Sequence, residues 1–288
     1  MLTGGGEGIV FLARRALAGI LVSVMVLSTT MMSLSAMGSN VTYEYYVAGH
    51  PEDFTPEPAD VSGGLLLAGG STDVAEAMEW MISKAGGGDF VVIRCAGTDA
   101  YNPWIYKQLG GVDSCETIIF LKDEACTDPF VLDKIRNAEA LFIAGGDQSD
   151  YVNMWKGTAV EDAIHFVMNK PAPVGGTSAG LAVLGEFVFS AENDTVESDD
   201  ALKNPYNRRV CLERDFLTMP DMDGKITDSH FVARDRMGRL VTFLARIIED
   251  GWADQAMGIG IDEKVALGVE PNGKVILFNA CKDGNGAA

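Results

Sequence analysis

Residues 173–180 read Pro-Val-Gly-Gly-Thr-Ser-Ala-Gly. An apolar strand over Ala172 to Gly175 runs straight into Gly176-Thr177-Ser178-Ala179-Gly180, a G-x-S-x-G pattern, and a short helix is expected over Ala179 to Leu184. A serine between two glycines at a strand-to-helix turn has a specific physical use. The turn is sharp enough to lift the hydroxyl clear of the sheet, and the glycines let neighbouring backbone approach closely. The Ala179 N–H, at the start of a helix, then faces any oxyanion formed beside Ser178.

Working outward from this turn, short apolar runs alternate with helical patterns. Leu65 to Ala68 ends in Gly69-Gly70, and Ser71-Thr72-Asp73 is placed to cap a helix with apolar positions at Val74, Ala77, Met78 and Met81. Further strands are expected at Phe90 to Ile93, Thr117 to Leu121 and Ala140 to Ala144. Helical segments are expected at 102–109, from Asp128-Pro129 onward, and over Val160 to Met168. Continuous apolar strands interleaved with amphipathic helices define a mostly parallel, doubly wound α/β sheet covered on both faces. Past Leu184 the pattern loosens. Residues 190–208 are a polar, acid-rich loop, Lys225 to Asp228 is a strand, and Val232 to Glu249 is the longest helical pattern. Three short runs follow, Met257 to Ile261, Val265 to Val269 and Val275 to Phe278, with turns at Asp262-Glu263 and Pro271-Asn272-Gly273. They read as a β-hairpin finishing the sheet.

The formal charge of the 288 residues is −19, which excludes sequence-independent nucleic-acid binding, since that requires a basic face. The charge is absent from the beginning of the chain: up to Tyr43 the only charged side chains are Glu7, Arg14 and Arg15. A basic pair, an apolar run from Ala16 and then small residues up to Ala36-Met37-Gly38 have the order of a secretory signal, with an uncleaved membrane anchor as the alternative. The expected organisation is therefore 1–38 signal or anchor, 39–62 linker and 63–283 a single domain. The protein is expected to be exported, touching a membrane only through its N-terminal segment. The five cysteines are odd in number and contain no CxxC, so neither a disulfide framework nor a structural metal site is expected. Cys95, following a strand, reads as a small buried thiol.

Ser178 requires a base, and there are three histidines. His50 falls in the linker and His165 within a helix. His230 follows the 225–228 strand, at the carboxyl edge where open parallel sheets bind ligands. An orienting acid is expected between Ser178 and His230, and Asp194 and Glu197 lie in a loop able to fold back toward the histidine. Asp228, two residues before His230, is better suited to substrate contact. Gly145-Gly146-Asp147-Gln148 closes another strand, so that Gly146, with Ala179, can complete an oxyanion hole and Gln148 can face the pocket. Arg234, Arg236 and Arg239 form a basic cluster in an acidic chain, suited to gripping carboxylates.

Together, G-G-D-Q (145–148), G-G-T-S-A-G (175–180) and D-S-H-F-V-A-R-D-R-M-G-R-L (228–240) closely resemble the cyanophycinases, in a serine peptidase family that also contains aspartyl dipeptidases. The likeness runs from about Gly63 to the last strand, and the exported branch of the family is the most similar. The resemblance implies a class I glutamine amidotransferase-like fold with a serine nucleophile elbow and no cofactor. It implies Ser178 as nucleophile and His230 as base, with Gln148, Asp228, Ser229, Arg234, Arg236 and Arg239 shaping a pocket for a β-linked aspartyl residue bearing arginine. By aspartyl dipeptidase spacing the acid is Asp194, and by cyanophycinase spacing it is Glu197. Ser229 stands where relatives often carry glutamine. The expected substrate is a peptide or polyamide such as cyanophycin, cleaved to β-aspartyl-arginine dipeptides, and a homodimer is admitted as an assembly. An aspartyl or isoaspartyl dipeptidase and a catalytically silent secreted binding protein are the alternatives.

Overall fold

A computed structural model describes residues 41–280. The segment read as a signal or anchor, and Cys281, lie outside the described residues. In chain order the strands are β1 (Tyr43–Gly49), β2 (Gly64–Ala68), β3 (Asp89–Arg94), β4 (Ser114–Phe120), β5 (Ala140–Ile143), β6 (Pro173–Thr177), β7 (Phe187–Phe189), β8 (Leu212–Arg214), β9 (Lys225–Asp228), β10 (Met257–Gly260), β11 (Val265–Val269) and β12 (Val275–Asn279). The α-helices are α1 (Ala75–Lys84), α2 (Pro129–Asn137), α3 (Gln148–Trp155), α4 (Ala159–Met168), α5 (Ala179–Ala182), α6 (Ser198–Lys203) and α7 (Met237–Glu249).

The main sheet has the order β1-β4-β3-β5-β6-β2-β11-β12. Its five central strands are parallel, while β1 at one edge and the β11–β12 hairpin at the other run antiparallel. Because successive strand residues point to opposite faces, a run such as Leu65-Leu66-Leu67 stays buried only if both faces are covered. Leu65, Leu67, Val91, Ile93 and Ile118 pack in one cluster with Ile135 of α2, Trp155 of α3 and Ile164 of α4. Leu66, Phe90, Val92 and Phe142 pack on the other face with Met78 and Met81 of α1. The result is a mixed α/β fold built on a large, mostly parallel sheet.

The structure differs from the sequence reading at several points. Residues 43–49, read as part of a linker, form β1 and pair with β4 along its whole length. Strand β1 supplies backbone partners along an edge that would otherwise be open. Residues 190–208 contain the short helix α6. The helix expected from Val232 begins at Met237, because 231–236 is a tight turn with His230 and Asp235 at positive φ (46° and 47°). Ser71, Thr72 and Asp73 do not cap α1: its N-cap is Val74, with no side-chain cap bond. Strand β10 does not join the hairpin but pairs in parallel with β9 in a second sheet, order β10-β9-β7-β8. That sheet packs against α6 and α7 through Phe187, Phe189, Ile226, Leu240, Phe243 and Ile247.

Candidate active site

Ser178 sits between β6 and α5 at φ 54°, ψ −113°, a conformation rarely adopted by a residue with a side chain. Such a backbone costs of order 1–3 kcal/mol and persists only where its surroundings impose it. Here the surroundings are glycines. A Cβ on Gly176 would lie 2.5 Å from the Gly180 carbonyl carbon, and one on Gly180 would collide with the Ile143 carbonyl oxygen. Both flanking positions of the motif are thus fixed by close backbone approach.

Ser178 Oγ is 2.8 Å from His230 Nε2, and His230 Nδ1 is 2.7 Å from Glu263 Oε1. A carboxylate can only accept, so Nδ1–H donates to Glu263 and leaves Nε2 to accept the Ser178 hydroxyl proton. Burial lowers the His230 pKa below its ordinary 6.5, and the charges of Arg234 and Arg236 push the same way against the raising effect of Glu263. The imidazole is therefore neutral and able to act as a base at neutral pH.

Three consecutive carbonyls at the end of β2 hold these residues in register. Ala68 O accepts from Ser178 N (3.1 Å), Gly69 O from His230 N (2.8 Å) and Gly70 O from Lys264 N (3.1 Å), next to Glu263. Gly70, at φ 105°, fits where no side chain can: its Cβ would lie 2.6 Å from His230 Nε2 and 3.0 Å from Ser178 Cβ. Downstream of His230, Asp262 Oδ1 accepts from Val232 N and Ala233 N, fastening the turn after the histidine to the loop that carries Glu263.

The acid is thus a correction to the sequence reading. Glu263, not Asp194 or Glu197, reaches His230. Asp194 is exposed and faces Arg209 at 3.6 Å, while Glu197 is an exposed residue at the start of α6. The expectation placed the acid between serine and histidine, whereas it follows both. The missing signal was strand pairing. Gly260 of β10 is in register with Asp228 of β9, so three residues past one strand end meets two residues past the other.

The residues assigned to the pocket separate into two groups. Gly145 lies against Ser178, with its Cβ position 3.5 Å from Ser178 Cβ, and Gly146 follows it beside Tyr151. Arg94 Nη2 donates to Gly145 O (3.1 Å), bracing this turn. Ala179 opens α5, and Gln148, at the start of α3, donates to Phe189 O (3.3 Å). Arg234 is exposed, with its charge felt by His230. The second group is occupied within the fold, which corrects its assignment to substrate. Asp228 is buried and receives Arg239 through both oxygens (Nε–Oδ2 2.8 Å, Nη2–Oδ1 2.5 Å). Arg239 is 2% exposed and lies over the rings of Phe189 and Phe243. Ser229 is buried, and Arg236 Nη1 donates to its carbonyl (2.8 Å) and hydroxyl (3.3 Å). A carboxylate at the last residue of a strand has to find a cation once it is buried, and the helix that follows supplies it.

The other histidines stand apart. His165 Nε2 faces Phe216 O at 3.0 Å, and His50 pairs with Asp113 at 2.9 Å. Cys95 is half-buried, and burial pushes its thiol pKa well above the ordinary range, so it is held as a thiol.

Fold and site together define an α/β protein with a Ser–His–Glu arrangement at the carboxyl edge of a parallel sheet. Residues 98–207 match the model of peptidase family S51, a span that contains Ser178 and stops short of His230 and Glu263. Over 170 residues the chain is 26% identical to the cyanophycinase of Trichormus variabilis, covering 59% of this chain and 51% of that protein. Over 130 residues it is 30% identical to the cyanophycinase of Geminocystis herdmanii, covering 45% and 42%. The chain spans about half the length of the curated relatives it matches, and in that part its sequence is cyanophycinase-like. Among solved structures it is similar to a peptidase from an acI-B1 Actinobacterium, at TM-score 0.54 and 18% identity over 75% of this chain and 88% of the other, a likeness of fold.

Proposed function

We propose that this protein is a serine peptidase that hydrolyses cyanophycin or a similar aspartyl-arginine polymer to β-aspartyl-arginine dipeptides through an acyl-enzyme. The observation that carries the reading is the continuous chain Ser178 Oγ, His230, Glu263 at 2.8 and 2.7 Å. The cyanophycinases matched in sequence supply the substrate class. Ser178 Oγ attacks the amide carbonyl carbon while His230 Nε2 takes its proton. Glu263 steadies the imidazolium, and the backbone N–H groups of Ala179 and the Gly145–Gly146 turn receive the oxyanion. His230 returns the proton to the leaving amine. Water, deprotonated by the same nitrogen, then releases the acyl group and restores Ser178. Export of the chain by its N-terminal segment belongs to the same reading.

Purified protein incubated with cyanophycin is expected to release dipeptides detectable by mass spectrometry, and Ser178→Ala to release none while keeping the parent circular dichroism. Dipeptide release by Ser178→Ala at the parent rate would refute the mechanism. A second reading, an aspartyl or isoaspartyl dipeptidase, is favoured by the internal use of Arg236 and Arg239, which leaves Arg234 as the arginine at this edge presented to solvent. Faster turnover of short Asp-X peptides than of polymer would select it.

A further inference from the structure

The β2–α1 loop carries the carbonyls of Gly69 and Gly70 that hold His230 and the Glu263 loop, and it must itself be anchored. It leaves Gly70 through Ser71, at φ 68°, and reaches Asp73. Asp73 is unoccupied by the usual task of a residue at this place, since it makes no capping bond to α1. Its carboxyl instead turns inward, where Oδ2 accepts from the Tyr101 hydroxyl at 2.5 Å. The Tyr101 ring is fixed in turn by an edge contact with Phe142 of β5, centroids 5.4 Å apart. The other oxygen, Oδ1, is fully buried, as is the hydroxyl of Thr177, the residue before Ser178, and the Thr177 hydroxyl bonds to this carboxyl. Arg94 acts electrostatically on the same carboxyl, so Asp73 lies against the turn that carries Ser178. Burial takes this carboxyl out of water at a cost that the bonds from Tyr101 and Thr177 only partly offset, so its pKa is raised. A surface loop that needed only to connect β2 to α1 has no reason to bear that cost.

We propose that Asp73, held by Tyr101, is a positioning residue for the Ser178–His230–Glu263 site: it fixes the 69–73 loop so that Gly70 stays seated against His230 and Ser178. The proposal rests on the reading of those three residues as a catalytic unit. A misplacement of about 1 Å at such a site costs up to ~100-fold in rate.

Two measurements on the full chain separate this proposal from that reading. The first is NMR titration of the imidazoles, which needs no turnover and has His50 and His165 as internal references. The second is the rate at which a fluorophosphonate labels Ser178. Asp73→Ala and Tyr101→Phe are expected to move the His230 midpoint up toward its ordinary value, as the loop loosens and water reaches the ring. Both are expected to slow labelling about 10- to 100-fold, with His50 and His165 unmoved. Asp73→Asn, which keeps an acceptor for Tyr101, is expected to restore both. If Asp73→Ala fails to fold, Tyr101→Phe decides. A His230 midpoint and labelling rate unchanged in Tyr101→Phe, or an Asp73→Asn protein as impaired as Asp73→Ala, would overturn the proposal. Absence of labelling in the parent would overturn the peptidase reading alone, because the His230 titration still reports on the loop.

Discussion

At the scale of single residues, the site balances opposing effects on one imidazole. Burial, Arg234 and Arg236 hold the His230 pKa down, and Glu263 holds it up. Removing Glu263 therefore shifts the acid limb of kcat/KM to lower pH, while the loss of an oriented Nδ1–H lowers the plateau. Glu263→Gln is expected to show both, with a rate loss of the order of 10²–10⁴-fold. Asp194→Asn and Glu197→Gln are expected to keep the parent profile, since neither side chain touches His230. A pH–rate series on the three variants checks the assignment, and a collapse of activity in Glu197→Gln with Glu263→Gln unaffected would reverse it. Ser178 and His230 were legible in the sequence because local pattern carried both: a glycine-flanked serine after an apolar run, and a histidine just past another. Glu263 was not, because its neighbour in space is set by which strands pair, and β10 gives no local sign of pairing with β9.

At the scale of elements, the joint between β9 and α7 takes up most of the basic cluster after His230. Three arginines in an acidic chain look like a binding surface until their partners are known. Arg239 clamps buried Asp228 and Arg236 clamps Ser229, so the cluster chiefly sets how α7 leaves the strand that delivers His230. Replacing Arg239 with methionine keeps an apolar side chain there but removes the guanidinium that lies over Phe189 and Phe243 and leaves Asp228 short of its main cation. A loss of about 3–5 kcal/mol is expected in urea unfolding. Arg234→Ala, on the exposed side of the same turn, is expected to change stability by less than about 0.5 kcal/mol and to raise KM if the substrate carries a carboxylate there. Equal stabilities of the two variants would contradict this division of labour. The helix itself was visible in the sequence from its periodicity, but its first residue was not. The turn at 231–236 is imposed by positive φ at His230 and by bonds from Val232 and Ala233 to Asp262, both consequences of the site.

At the scale of the molecule, much of the unusual polarity lies at the end of the sheet opposite Ser178, His230 and Glu263. Buried Asp89, Glu116 and Glu139 stand at the amino ends of the strands and fasten the incoming chain: Tyr45 Oη donates to Glu116 (3.0 Å), Phe54 N to Asp89 (3.2 Å), and Lys134 Nζ to both Glu116 (2.8 Å) and Pro51 O (2.9 Å). Glu139 Oε2 accepts from Asp89 N (2.9 Å), but burial still raises the Glu139 pKa from 4.5 to about 7. The folded carboxyl keeps its proton to about pH 7, while the unfolded one releases it near 4.5. Its favourable contribution is thus fully present below the unfolded value and is lost as pH rises through 7. Glu139→Gln, which cannot ionise, is expected to gain on the parent as pH rises, with a Tm advantage of a few degrees at pH 8 over its value at pH 5. Parallel Tm curves for the two proteins would dismiss the effect.

The sequence by itself determined the layered α/β architecture, the edge of the sheet at which Ser178 and His230 meet, and two of the three residues in the Ser–His–Glu arrangement. Hydrophobic period, glycine placement and strand-end position are local properties, readable a few residues at a time. Tertiary structure alone decided that residues 43–49 complete the sheet rather than lead into it, that Glu263 completes the hydrogen-bonded chain, and that Asp228 with two of the three arginines is spent on the fold. Each of these is a choice of partner between segments distant along the chain. In an acidic protein with many carboxylates to offer, only the pairing of strands and the burial that follows from it select which charge meets which.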